Sequence, residues 1–353
     1  MTVKVLVVDD SPTARKLLVH IVNSANNMEV VGEASDGAQA VRLNKKLKPN
    51  IILMDITMPK MNGMEATEEI MADNPTPIVM ISANLHGREA EIGFQAISLG
   101  ALTVMPKPVG MGSPDFRDQA NKLVSTLRNM SGVRVIHHRG SRRPKVAPVQ
   151  PTRSVRQPAK SVKPELIAIA SSTGGPAALG TILRELPLDF EPPIVIVQHI
   201  AASFNESLMG WLAGITSLRV REPRAGELPQ PGHIYLAPGG HHLIFNRDLT
   251  FGFSEMPRTS HVPSGDELFN SVAETYRSQA VGVILTGMGA DGARGMRRMH
   301  DAGAFTIAQD EESCAVYGMP KEAVAFGGVQ EVLPLSNIAN ALVQLSLGQE
   351  LAL

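Results

Sequence analysis

Cysteine is almost absent from this 353-residue chain, where Cys314 stands alone. A single thiol excludes an internal disulfide framework and suits a reducing cytoplasm, where it reads as a small buried side chain. No uninterrupted apolar run approaches the roughly 20 residues that span a bilayer, and the N-terminus lacks a basic segment followed by an apolar one. A cytoplasmic protein without direct membrane insertion is expected. Charge excess is missing too: 33 basic and 34 acidic residues give a formal net charge of -1. The total therefore offers no electrostatic case for nucleic acid or an anionic membrane surface. Acidic residues are also missing locally. Residues 131–164 hold none, while Arg134, Arg139, Arg142, Arg143, Lys145, Arg153, Arg156, Lys160 and Lys163 alternate with prolines. Such a stretch cannot bury a core and reads as an extended, solvated linker. With no aromatic residue interleaved for base stacking, it makes a poor nucleic-acid arm.

What is present is organised around residues 165–176. A short apolar run stops at Ser171, Ser172, Thr173, Gly174 and Gly175, and Pro176 suits the first turn of a following helix. Ser172 is thereby placed at the C-terminal edge of a buried strand, where backbone N–H groups of the incoming helix can receive negative charge. Taken alone, the stretch fits a phosphate-cradling turn equally well. Two later apolar strands end in the same manner. Residues 193–198 deliver His199, and residues 280–285 lead into Thr286, Gly287, Met288, Gly289, Ala290, Asp291 and Gly292. Serine, histidine and aspartate at three strand ends supply a nucleophile, a general base and an orienting carboxylate. Their chain order differs from the Ser, Asp, His of α/β-hydrolases, and no Gly-x-Ser-x-Gly elbow precedes the serine. His241 and His242 are assigned to supporting the fold, because no cysteine or glutamate at zinc-ligand spacing accompanies them. Residues 232–238, 242–245 and 249–253 read as an antiparallel portion, residues 266–277 as a helix and residues 304–308 as one more strand.

The first 130 residues follow a regular alternation. Strands at 3–9, 29–32, 50–54, 77–82 and 102–105 alternate with helices from Pro12 to about Ser24, then at 38–48, 63–73, 88–99 and 114–130. This predicts a doubly wound, five-stranded parallel sheet with its site at the C-terminal strand edge. Asp9, Asp10, Asp55, Ser82 and Lys107 all fall there. An Asp-Asp pair also suits a helix cap, but three converging carboxylates call for a cation, and an all-oxygen set suits Mg²⁺. A carboxylate beside Mg²⁺ can accept a phosphoryl group, with Lys107 balancing its charge and Ser82 hydrogen-bonding to it.

These residues, in Val7-Val8-Asp9-Asp10-Ser11, Met54-Asp55-Ile56-Thr57-Met58-Pro59, Asn62-Gly63, Ser82-Ala83 and Lys107-Pro108, resemble a response-regulator receiver domain. The resemblance implies phosphorylation of Asp55 by a histidine kinase, Mg²⁺ held by Asp10 and Asp55 with Asp9 in support, and Ser82 and Lys107 as switch residues. Val104 stands where receivers often carry an aromatic switch. The second half resembles the catalytic domain of the chemotaxis protein-glutamate methylesterases, the CheB family. Its motifs are Ser171-Ser172-Thr173-Gly174-Gly175, Gln198-His199, Gly232-His233-Ile234-Tyr235-Leu236-Ala237-Pro238-Gly239, residues 282–292 and Gly318-Met319-Pro320. The family's Gly-Ala before the nucleophile is Ala170-Ser171 here, and its His-Arg-Pro-Ser-x-Asp is His261-Val262-Pro263-Ser264-Gly265-Asp266.

The expected organisation is a receiver over 1–130, a linker over 131–164 and a mostly parallel, Rossmann-like α/β hydrolytic domain with an antiparallel portion over 165–348. The family implies Ser172 as nucleophile, His199 as base and Asp291 as its orienter, acting on methyl esters and glutamines of chemoreceptor cytoplasmic domains. Backbone N–H groups at Thr173 and Met288 are candidate oxyanion donors. Mg²⁺ is expected at the receiver and no cofactor for the ester reaction. A DNA-binding regulator and a phosphorylation-dependent scaffold are the competing classes.

Overall fold

The computed structural model describes residues 2–83, 88–133, 135, 163–257 and 261–351. Most of the basic, proline-rich stretch, residues 134 and 136–162, lies outside the described residues.

In the N-terminal half, strands β1 (Val3–Val8), β2 (Met28–Ala34), β3 (Ile51–Asp55), β4 (Ile78–Ser82) and β5 (Thr103–Pro106) form one sheet in the order β2-β1-β3-β4-β5. All four pairings are parallel, as expected from the strand-helix alternation. The helices are α1 (Pro12–Asn23), α2 (Gly37–Leu47), α3 (Gly63–Asp73), α4 (Arg88–Ser98) and α5 (Phe116–Met130). Local sequence sets their starts. Ser11 caps α1 by accepting from Ala14 N, with Pro12 in the first turn, so Asp9 and Asp10 are not the cap. Asn62 and Glu65 form a reciprocal capping box at α3. Winding to both sides of β1 and β3 opens a crevice at their C-terminal ends.

The second half is built on β6 (Leu166–Ser171), α6 (Gly175–Glu185), β7 (Ile194–Gln198), α7 (Asn205–Ile215), β8 (Arg219–Arg221), β9 (His233–Leu236), β10 (His242–Phe245) and β11 (Phe251–Ser254). It continues through α8 (Gly265–Thr275), β12 (Ala280–Ile284), α9 (Ala293–Asp301), β13 (Phe305–Gln309), α10 (Met319–Ala325), β14 (Glu331–Leu333) and α11 (Leu335–Ser346). Seven strands form a parallel sheet in the order β14-β13-β12-β6-β7-β9-β8. Strand β6 is central, fully buried, and flanked by β12 and β7. The topological switch therefore falls at β6, which makes its C-terminal end the place for a ligand crevice.

The strand expected within the antiparallel portion at 232–238 belongs elsewhere. Strand β9 runs parallel to both β7 and β8, and Ile234, Tyr235 and Leu236 are fully buried. A strand covered on both faces reads as a continuous apolar run, which gives no sign of its direction. Among the described residues, only β10 and β11 pair antiparallel. Strands β8 and β14, three residues each at opposite sheet edges, carry too little pattern to be read from sequence.

The two halves meet through α4. Phe94 is fully buried, lying edge-on to Phe204 at 6.1 Å between ring centroids and stacked on Trp211 at 6.0 Å. Among the described residues, no helix is long and apolar enough to cross a membrane.

The N-terminal sheet has little room at the start of α3. A Cβ on Gly63 would lie 2.2 Å from the Asp55 carbonyl oxygen and 2.8 Å from Met80 Cε. Gly63→Ala is therefore expected to destabilise this domain by about 1–3 kcal/mol through overpacking. Denaturant unfolding of the variant checks this; an unchanged midpoint contradicts it.

Candidate active site

Three polar residues stand where adjacent parallel strands stop. Ser172 follows β6, His199 follows β7, and Asp291 lies in the loop after β12. Backbone hydrogen bonds tie these ends together: His199 N donates to Ser171 O at 2.9 Å, and Ser172 N to Thr286 O at 3.1 Å. His199 Nε2 lies 2.7 Å from Asp291 Oδ2. The other ring nitrogen, Nδ1, is buried and has no hydrogen-bond partner among the described residues. Ser172, Thr173, His199, His261 and Met288 line one cavity of about 290 Å³. Asp291 stands behind the imidazole.

The N-terminus of α8 holds that carboxylate. Ser264 Oγ donates to Asp291 Oδ1 at 2.6 Å, Gly265 N to Oδ2 at 2.6 Å, and Asp266 N to Oδ1 at 3.3 Å. Helix N-termini present unpaired N–H groups and favour negative charge. Burial pushes the Asp291 pKa up, but the His199 hydrogen bond and charge, with Ser264 and Gly265, outweigh it and hold the pKa at about 2. The His261 ring stacks on His199 at 4.3 Å with 14° between planes. Burial, then the neighbouring His199, depresses the His261 pKa, and Lys122 of α5 adds to the effect. A lowered pKa favours the neutral ring.

Neighbouring Ser171 is turned away from the cavity. It is fully buried and donates to Gln198 Oε1 at 2.7 Å. Gln198 Nε2 in turn donates to Ser172 O at 2.8 Å and His199 O at 3.1 Å. One hydroxyl thus fixes the orientation of an amide that clamps the ends of β6 and β7 together. Gly175 must be glycine beside this clamp, since a Cβ would lie 2.0 Å from Gln198 Oε1. Gly174 takes φ +79°, with a Cβ position 2.5 Å from Ala315 Cβ. No described residue accepts the backbone N–H of Thr173 or Met288, the two groups singled out for an oxyanion. Burial pushes the Cys314 thiol up to about 12, so it is not a ready thiolate.

At the N-terminal sheet, oxygen atoms of Asp9, Asp10 and Asp55 lie within 4.8 Å of one another. Lys107 Nζ reaches Asp55 Oδ2 at 2.8 Å and Asp9 Oδ2 at 2.9 Å. Burial raises the Asp55 pKa to about 6 against the lowering effect of Lys107. Asp9 Oδ2 is buried with the Lys107 ammonium as its partner. This donor set fits a hard divalent cation. Ser82 is buried at the end of β4, and Lys107 N donates to its carbonyl at 2.8 Å.

Comparison with known proteins agrees with both halves. The CheB methylesterase family model matches residues 167–342, and the response regulator receiver domain model matches residues 5–113. A protein-glutamate methylesterase/protein-glutamine glutaminase of Myxococcus xanthus is 43% identical over 343 residues, covering 96% of each chain. The chain belongs to the CheB methylesterase family. A protein of Nitrosospira multiformis with the same name is 42% identical over 97% of both chains. The Thermotoga maritima CheB methylesterase catalytic domain is 38% identical, with a TM-score of 0.50, covering 52% of this chain and all of that one.

Within this CheB-family chain, the roles of Gln198, Ser264 and Gly265 had escaped the sequence reading. A glutamine closing an apolar strand, and a serine three residues before Glu267 at a helix start, were the available signals. Neither reveals its partner, because Asp291 lies 26 residues from Gly265 and Ser171 lies 27 residues from Gln198.

Two outcomes are expected. Ser171→Ala leaves a buried Gln198 oxygen unpaired and lowers stability by about 1–3 kcal/mol, readable in denaturant unfolding. Because the Asp291 pKa falls from 3.8 to about 2 on folding, its contribution is complete above the unfolded value and vanishes as pH falls through about 2. The stability advantage of wild type over Asp291→Asn should shrink by about 2 kcal/mol between roughly pH 4 and pH 2. A pH-independent difference contradicts this.

Proposed function

We propose that this chain removes methyl esters from glutamate side chains of chemoreceptor cytoplasmic domains, releasing methanol, and deamidates glutamine side chains at the same site. The observation carrying the reading is Ser172 and His199 facing one cavity, with His199 backed by Asp291 at 2.7 Å, in a chain whose full-length relatives carry both activities in their names.

In this reading Ser172 Oγ attacks the ester carbonyl carbon. His199 Nε2 is committed to Asp291, so Nδ1 takes the serine proton. The carbonyl oxygen gains negative charge within reach of the Thr173 and Met288 N–H groups, each such donor being worth about 3 kcal/mol of barrier. Nδ1–H then protonates the departing methoxide as the C–O bond breaks. A water molecule, deprotonated by the same nitrogen, attacks the acyl carbon; the bond to Ser172 Oγ breaks, Nδ1–H returns the proton to Oγ, and the carboxylate is freed. With a glutamine substrate the leaving group is ammonia. Asp291, held ionised by α8, stabilises the imidazolium and fixes its orientation.

The receiver regulates this chemistry by covering it. Thr103, Val104, Met105 and Pro106 of β5, with Lys122, Ser125 and Thr126 of α5, wall the cavity that holds Ser172. Asn129 of α5 contacts Met288 on the opposite rim. Space of about 290 Å³ accommodates a small side chain and not a receptor helix of about 10 Å diameter. Phosphorylation of Asp55 by a histidine kinase shifts the balance towards an uncovered state. Asp9, Asp10 and Asp55 would hold Mg²⁺, whose charge offsets the carboxylates and the incoming phosphoryl group. Lys107 pairs with the modified Asp55 in the same place, and Ser82 is positioned to report the change. The chain works in the cytoplasm, where receptor tails and kinases meet it.

Methanol release from methyl-labelled receptor membranes tests the reading. Wild type should release methanol faster with a phosphodonor and Mg²⁺; Asp55→Asn should lose the stimulation, and Ser172→Ala should lose at least about 10³-fold in turnover. Release undiminished in Ser172→Ala rejects the nucleophile. Phe94→Ala loosens the contact between the halves and should raise unphosphorylated activity at least about fivefold, within the usual span of coupling energies. Unchanged activity with both halves folded rejects the covering mechanism.

A further inference from the structure

His242 is fully buried at the first position of β10, outside the cavity's lining but bonded to the residue that follows Pro263 of that lining. Both ring nitrogens are occupied by backbone groups. Ser264 N donates to Nδ1 at 3.1 Å, and Nε2 lies 2.8 Å from the carbonyl oxygen of Pro257. A carbonyl only accepts, so Nε2 carries the proton; an N–H only donates, so Nδ1 is bare. The surroundings thus select one neutral tautomer. Its bare nitrogen is the acceptor that holds the backbone of Ser264.

Ser264 does two further things. As N-cap of α8 its Oγ accepts from Glu267 N, and the same oxygen donates to Asp291 Oδ1 at 2.6 Å. The next residue, Gly265, donates to Asp291 Oδ2, the oxygen that meets His199. The position of the Ser264 peptide therefore sets where both donors stand.

We propose that His242 is a positioning residue for the hydrolysis, acting through the Ser264 peptide to hold Asp291 against His199. This rests on the hydrolase reading above. Without an acceptor at Nδ1, the buried Ser264 N–H is left unpaired and its loop shifts to satisfy it. A shift of the order of 1 Å in such a support costs roughly 10²-fold in rate.

Two substitutions separate this role from simple packing. Asparagine places its amide oxygen near the position of Nδ1, where it accepts from Ser264 N. Glutamine reaches the position of Nε2 and serves Pro257 O, but leaves Ser264 N without an acceptor. In the full chain, His242→Asn should retain most of the turnover, while His242→Gln loses about 10²-fold in kcat with little change in KM. The downfield proton NMR signal of the His199 ring N–H bonded to Asp291 should persist in the first variant and vanish in the second. Equal retention in both variants, equal loss in both, or the reverse order overturns the proposal. Should wild type hydrolyse neither ester nor amide, the hydrolase reading falls, and the ring-proton signal alone still decides whether His242 positions Asp291. Should His242→Gln not fold, His242→Leu decides, since it fills similar space and offers Ser264 N no acceptor. Unchanged turnover and ring-proton signal there overturn the proposal; loss of both supports it.

Discussion

Hydrogen bonding to Asp291 holds the site of the second half together. A carboxylate behind a buried imidazole is costly, and burial alone would push it towards protonation. His199 reverses that preference, and the start of α8 adds to it by turning Ser264 Oγ and the Gly265 N–H onto the carboxylate. Once Asp291 is fixed and ionised, His199 Nε2 is held and Nδ1 remains for the cavity side. Without the helix start, Asp291 keeps only His199 as a hydrogen-bond partner among the described residues. The separate Ser171 and Gln198 clamp joins the strand before Ser172 to the strand before His199.

The larger architecture was readable because parallel sheets write themselves as buried apolar runs ending in polar turns. The runs before Asp9, Asp55, Ser172 and His199 all became strands with those residues at or just beyond their C-terminal ends. What the pattern omits is direction and distance. Strand β9 is as apolar as an antiparallel core strand, and only its hydrogen bonds to β7 and β8 reveal that it runs parallel. Ser171 stands next to Ser172 in sequence, yet alternation along β6 sends its hydroxyl inward to Gln198. The stretch His261 to Asp266, read for its likeness to a family motif, uses Ser264 and Gly265 to hold Asp291 and His261 to stack on His199. Such contacts across the fold leave no periodic mark.

Coupling between the halves rests on apolar packing near a polar cavity. Phe94 buries its whole ring between Phe204 and Trp211 and also lines the cavity that holds Ser172, beside apolar Val104 and Met105 and polar Thr103, Lys122, Ser125 and Thr126. The packed contact and the cavity wall therefore share residues. Val104 belongs to both. Its methyl groups lie 3.1 and 3.2 Å from where a Gly93 Cβ would stand, so β5 packs directly under α4 with no aromatic rotor between them. A shift of β5 would therefore press directly on the α4 backbone at Gly93, next to Phe94.

The two sheets place carboxylates in the same topological position and give them opposite electrostatics. Asp291 receives three donors from α8 in addition to His199, and its pKa falls to about 2. Asp55 has the Lys107 ammonium and little else to offset burial, so its pKa rises to about 6. One carboxylate is saturated with donors and stays charged. The other is left short of positive charge beside Asp9 and Asp10, a deficit that a divalent cation would offset. The difference lies in what meets the end of the strand. Helix α8 turns its N–H groups onto Asp291, whereas Asp55 meets one backbone N–H, from Thr57, and Asp9 one, from Ser11, with Lys107 as the cation shared by both.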